Sequence, residues 1–199
     1  MTREMTNSTT NFMMVGVGGQ GTILASNILA ELGVRLGYDV KKAEVHGMSQ
    51  RGGSVVSHLR WGKQVFAPIV SKGEVDILLA FEELEAARYI DHLKPGGLVV
   101  INEYQIKPVT VSSGKAVYPE KEALQGMIAR ATDNAHWVQG ATIAEQLGNS
   151  KVANVVVLGT LSRLLDMPSA DWEEAIKVLV PPKLLALNLK AFQAGRDAL

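Results

Sequence analysis

Hydrophobic residues along the chain follow three patterns: unbroken runs, strict alternation, and stripes spaced three or four residues apart. The first run, Met13-Met14-Val15, passes through Gly16-Val17 into Gly18-Gly19-Gln20-Gly21. Behind it Leu24, Ile28, Leu32 and Leu36 recur four apart, with Ala25 and Leu29 widening the stripe. A short unbroken run suits a buried strand and the stripe marks one face of a helix, so the segment predicts strand, tight turn, helix. Gly33 and Gly37 weaken the last turn and end the helix before Tyr38.

Asp39–Val45 predicts a second, partly exposed strand, and Val55–Trp61 alternates as a third. Gly62-Lys63 reads as a two-residue turn into Gln64–Ala67, a β-hairpin whose second arm Pro68 confines to an edge. Val75–Phe81 is a strand buried on both faces. Glu82–Leu93 has helical period with Leu84, Ala87 and Tyr89 or Ile90 inward, stopped by Pro95-Gly96-Gly97 before the buried strand Leu98–Ile101. Val109–Val111 and Ala116–Tyr118 flank Ser112–Lys115 as a small hairpin or a strand with a loop. Then come a helix over Glu120–Thr132, a short strand over His136–Val138 and a helix over Ala141–Leu147 closed by Gly148. The last fifty residues are helical: Val152–Leu165, Asp171–Val178, and Lys183–Ala198 behind Pro181-Pro182. Val152–Leu165 is apolar on more than one face and needs cover, from the core or from another chain. Strands alternating with helices behind a glycine turn predict an α/β, Rossmann-like three-layer domain. Its sheet is expected to be mixed and mostly parallel, with the inserted hairpin and C-terminal helices. This domain should span residues 12–199, with 1–11 a disordered lead-in.

Composition narrows the classes. Twenty Lys and Arg balance twenty Asp and Glu, so no global field draws nucleic acid or an anionic membrane. The chain has no cysteine, which removes disulfides, a nucleophilic thiolate and any iron–sulfur cluster ligated by its own thiolates. No run approaches the roughly 18 apolar residues of a spanning helix. Residues 1–11 lack the apolar stretch of a signal peptide, so a cytoplasmic protein is expected. No Walker loop, Gly-x-Ser-x-Gly, His-Glu-x-x-His or Gly-Asp-Gly occurs.

Two stretches carry candidate chemistry. In the turn, Gly16, Gly18, Gly19, Gln20 and Gly21 precede a helix whose first N–H groups form a potential anion site. Asp39 and Glu44 lie about 20 residues on, where a dinucleotide site places its ribose acid. The plainer reading, a structural turn with an optional anion, is preferred because the second strand runs into a bulky polar loop. That loop is the second stretch. His46, Gly47, Ser49, Gln50, Arg51, Gly52, Gly53 and Ser54 combine polar donors, hinges and one permanent cation, which suits a carboxylate, a phosphate or a partner surface. Arg51 is the foremost candidate, and His46 is either an acid–base group or a hydrogen-bonded structural residue. His58, His92 and His136 read as structural. Glu82, Glu83 and Glu85 read as acids at a helix start, where the dipole favours them.

At these stretches the chain resembles a known family. GVGGQGTILASNILA and EVHGMSQRGGSVVSHLRWG are similar to the small, gamma-type subunits of 2-oxoacid:ferredoxin oxidoreductases. The spelling from His46 to Gly53 is most similar to the indolepyruvate branch. The likeness continues through VDILLAFEELEAARY, LKPGGLVVIN, NVVVLGTLSRLL and PPKLLALNLKAFQAG, nearly the whole chain from Met13 on. The resemblance implies a non-cofactor subunit of a complex that decarboxylates an aryl 2-oxoacid, reduces ferredoxin and releases an acyl-CoA. It implies thiamine diphosphate, Mg and 4Fe-4S clusters on a larger alpha-type subunit, CoA as co-substrate, and no metal on this chain. By the same resemblance the Gly47–Gly53 loop approaches the shared active site. A homodimer of the isolated chain stays open. So does a rival of another class, a freestanding Rossmann-like nucleotide-binding or regulatory module.

Overall fold

The computed structural model describes residues 9–46 and 52–199. Strand β1 (Thr10–Val17) sits inside a six-stranded sheet of order β2-β3-β1-β4-β5-β6. The others are β2 (Asp39–His46), β3 (Ser54–Gly62), β4 (Val75–Ala80), β5 (Leu93–Asn102) and β6 (Ala135–Val138). Among the described strands β3 alone runs against the rest: it is antiparallel to β1 and β2, while β1, β4, β5 and β6 pair in parallel. Along β1, Phe12 and Met14 enter one core and Met13 and Val15 the other, all without solvent contact. A strand covered on both faces has no polar side, which is why its sequence is an unbroken run.

The helices are α1 (Thr22–Arg35), α2 (Glu83–Tyr89), α3 (Val109–Ser112), α4 (Lys121–Ala131), α5 (Gly140–Gln146), α6 (Ala153–Leu164), α7 (Ser169–Leu179) and α8 (Pro182–Arg196). Helix α1 packs with α5 to α8 on the Phe12 face, and α2 and α4 cover the Met13 face, giving three layers. The chain leaves β1 by α1 on one face and leaves β4 by α2 on the other. The layers therefore change sides between β1 and β4, and a crevice opens at the carboxyl ends of those strands. Helix α6 finds its cover inside the chain: residues from Asn154 to Ser162 are buried, against the core and α8.

The expected architecture is observed, with its hairpin relocated. Gln64–Ala67 forms no strand; the antiparallel arms are β2 and β3, paired from Asp39↔Gly62 to His46↔Val55. Residues 63–70 instead lie across β3, held by side chains. Asp39 accepts from Val65 N (2.7 Å), Arg60 Nη1 donates to Ala67 O (3.2 Å), and His58 Nδ1 accepts from Val70 N (3.3 Å). Burial, with His92 nearby, pushes the His58 pKa below its usual value. The hairpin or strand expected around Ser112–Lys115 is also absent: α3 occupies Val109–Ser112 and residues 113–120 form no strand. Thr10 and Asn11, expected in the lead-in, belong to β1, where Asn11 N donates to Asp76 (2.7 Å). Leu93 begins β5 rather than ending a helix, and Pro95-Gly96-Gly97 sits in the irregularity before Leu98 regains register with Ile77. Gly33 does not terminate α1; a Cβ there would stand 2.4 Å from Trp61 Nε1, so it seats the indole, and Gly37 at φ 85° makes the turn.

Candidate functional site

The crevice is a cleft of about 300 Å³. Gly18, Gly19 and Gln20 line it from the turn after β1, Phe81 from just after β4, Asn102 from the end of β5, Tyr104 and Ile106 from beyond it, Lys151 from just before α6 and Asn154 from its first turn. Gly21, the residue before α1, has φ 78°, and Gly19 has φ 106°, both left-handed values that glycine adopts without strain. Helix α1 carries no side-chain cap and no acid in its first turn, so its partial positive end is not neutralised from its own element. Lys151 adds a positive charge to the wall and Glu145 a negative one.

The structure brings the two flagged stretches together. Gly18 N donates to Gly53 O at 2.9 Å, fastening the end of the polar loop to the glycine turn. His46 closes β2 opposite Val55, and Gly52 takes φ 75°. Gly47, Ser49, Gln50 and Arg51 lie outside the described residues. Inside the turn the candidates divide. Gln20 is committed locally, accepting from Val17 N (2.7 Å) and donating to Phe81 O (2.7 Å). A Cβ on Gly16 would lie 2.9 Å from that amide oxygen, whereas a Cβ on Gly19 would meet nothing within 4 Å among the described residues, so among them Gly19 is where the turn is open.

The candidate ribose acids are placed elsewhere. β3 intervenes between β1 and β2, which puts β2 about 10 Å from β1 across the sheet. Asp39 opens β2 at the edge remote from the glycine turn. Lys41 and Val65 N–H hold its carboxyl below the usual range, and Glu44 pairs with Lys42 at 2.6 Å.

Sequence reasoning passed over the acids at the start of α2. Glu82, Glu83 and Glu85 are only 1%, 4% and 4% exposed. Glu82 accepts from Glu85 N (2.9 Å), Ile106 N (3.1 Å) and the Tyr118 hydroxyl, while Gln105 donates to Glu83 (2.8 Å). These carboxylates hold the Tyr104–Tyr118 segment that walls the cleft. Burial, then the Glu82 hydrogen bond, raises the Tyr118 pKa. Glu85 accepts from Ser54, the first residue of β3, with Arg88 Nε 3.3 Å away. Burial raises its pKa more than Ser54 and Arg88 lower it. The only signal in the sequence was the density of acids, which a solvated helix start explains equally well.

Among the described residues no group of three or more His, Asp or Glu is arranged to hold a metal ion, and no helix is long and apolar enough to cross a membrane. Residues 11–198 match the family described as pyruvate ferredoxin/flavodoxin oxidoreductase. The chain belongs to this family. It is 40% identical over 191 residues to indolepyruvate oxidoreductase subunit IorB of Thermococcus kodakarensis, covering 94% of this chain and 95% of that one. The gamma subunit of a keto/oxoacid ferredoxin oxidoreductase from Geobacter sulfurreducens superposes with a TM-score of 0.69 at 25% identity, covering 95% of this chain and 97% of that subunit. The fold also recurs within a longer chain. In 2-oxoglutarate:ferredoxin oxidoreductase from Magnetococcus marinus, solved with 2-oxoglutarate, coenzyme A and succinyl-CoA, it matches 31% of the chain at a TM-score of 0.70 and 18% identity. Relatives in this family are subunits of oxidoreductases, and this chain is a subunit of that kind.

Proposed function

We propose that the chain is the small, non-cofactor subunit of an indolepyruvate-type 2-oxoacid:ferredoxin oxidoreductase. The observation that carries the reading is the end-to-end match to an indolepyruvate oxidoreductase subunit of nearly the same length, with 94% of one chain and 95% of the other aligned. The complex removes CO2 from an aryl 2-oxoacid, passes the electron pair to ferredoxin and releases the acyl group on CoA. Thiamine diphosphate, Mg and 4Fe-4S clusters are assigned to a larger partner subunit. This chain has no cysteine to ligate a cluster, and its described residues offer no metal cage. Its contribution is to shape the channel. The glycine turn and the His46–Ser54 loop meet at Gly18–Gly53, and the cleft beside them offers the open backbone at Gly19, the start of α1 and Lys151 to a phosphate-bearing co-substrate such as CoA. Arg51 is assigned to an anion in the same channel. A cytoplasmic location belongs to the same reading.

The freestanding nucleotide-binding reading is weaker on geometry, because Asp39 and Glu44 are paired and displaced from the turn. The test is co-expression of the tagged chain with the larger subunit of its own source. Capture of that subunit, with indolepyruvate- and CoA-dependent reduction of ferredoxin, is the expected result. A chain that stays alone and whose Tm rises with NAD or ATP would overturn the proposal, since only a ligand bound to the native state raises Tm.

A further inference from the structure

Three glycines around the cleft lie against three side-chain amides. A Cβ on Gly16 would stand 2.9 Å from Gln20 Oε1, one on Gly21 2.5 Å from Asn154 Nδ2, and one on Gly140 2.8 Å from Asn102 Oδ1. The missing Cβ atoms make room for these amides rather than for a ligand. Each amide uses both of its ends. Gln20 joins Val17 N to Phe81 O (2.7 Å each), Asn102 joins Phe81 O to Ala141 N (3.2 Å each), and Asn154 joins Gly21 O to Val155 N (3.0 Å each). Together they tie the glycine turn to the end of β4 and to the first turns of α5 and α6. All three line the cleft, and Asn102 and Asn154 are 2% exposed.

A carboxamide supplies a donor and an acceptor from one small flat group that stays uncharged at every pH. A carboxylate of the same shape would set its oxygen against the carbonyl of Phe81 or Gly21, and would place a negative charge beside the start of α1. A hydrophobic residue would remove one donor from a carbonyl that holds two, Gln20 and Asn102 on Phe81 O or Asn154 and Ala25 N on Gly21 O, and would untie the turn from its neighbour. Neutral donors at these positions therefore fix the turn and add no negative charge to the cleft beyond that of Glu145. We propose that Gln20, Asn102 and Asn154 are positioning residues that hold the glycine turn for the anionic group of the co-substrate and so set the affinity for CoA. This inference rests on the reading above, in which CoA enters the cleft.

The experiment uses the assembled two-subunit enzyme and measures kcat, the KM for CoA and the KM for indolepyruvate separately. Asn154→Asp and Asn102→Asp are expected to raise the KM for CoA about tenfold or more, with kcat and the KM for indolepyruvate within about twofold. Gln20→Glu makes the same change at a half-buried site, should the buried variants fail to assemble. Lys151→Ala, on the exposed wall, reports whether CoA uses the cleft. If it raises the KM for CoA while the amide variants do not, the clamp is wrong and the functional reading survives. If neither it nor the amide variants moves that KM, CoA binds elsewhere, and the clamp and the placing of CoA in this cleft both fall. A uniform loss of kcat and both affinities, with a lowered Tm, would show a purely structural role and overturn the proposal.

Discussion

A carboxyl group cut off from water holds its proton more tightly, and Glu85 shows the effect at a place that matters. Its partners, Ser54 and Arg88, compensate only part of the burial, so its pKa lies above the 4.5 of a free glutamate. A carboxyl raised in the folded state contributes stability that is complete below about pH 4.5 and is lost as the pH climbs through the folded value. Above both values the ionised group works against folding. Glu85→Gln keeps an acceptor for Ser54 and removes the charge. It should raise Tm at pH 7.5, with the advantage shrinking as the pH approaches 4.5. Thermal melts of the two proteins across that window check it, and equal melting at pH 7.5 would refute it. Nothing in the composition separates this acid from a solvated one. Glu82, Glu83 and Glu85 suit a helix start whether water or protein surrounds them.

Helix pairs show how context reverses a simple preference. Alanine forms helix better than glycine by about 1 kcal/mol, yet Gly195 on α8 and Gly159 on α6 meet where the two backbones touch. A Cβ on Gly195 would fall 1.9 Å from Val156 O, and one on Gly159 2.1 Å from Phe192 O. Thr160 Oγ1 donates to Gly195 O at 2.9 Å across the same contact. Gly195→Ala must push the helices apart and should cost about 2 kcal/mol, or about 4–8 °C in Tm. Gly126 on α4 has only the tip of Arg130 near it, at 3.8 Å. Gly126→Ala should therefore gain up to about 1 kcal/mol, or about 2–4 °C. Opposite signs for one substitution, read by thermal melts, would confirm the packing; a shared sign would not. The burial of α6 was legible in its apolar character, but the identity of its cover was not, because apolarity alone does not name the surface that meets it.

For the molecule as a whole, the sheet order brings the ends of two distant stretches together at Gly18 and Gly53. β3 inserts between β1 and β2, so the loop from His46 to Ser54 springs from beside the glycine turn. In the assembled enzyme Arg51→Ala should lower turnover about tenfold or more while the subunits still co-purify, because an unpaired anion loses a charge-assisted contact. Unchanged turnover would remove Arg51 from the site. Local spacing determined the strand–turn–helix at residues 13–35, the buried runs of β4 and β5, the C-terminal helices and the family motifs. Each of these depends on neighbours a few residues away. The tertiary structure alone decided the pairing of β2 with β3, the strap over residues 63–70, the burial of Glu82 to Glu85 and the seating of three amides on three glycines. All but the seating of Gln20 on Gly16 depend on partners far off in sequence, such as Asn154 on Gly21 O. A single chain read in order carries the periodicity of each element but not the choice of which surface it faces.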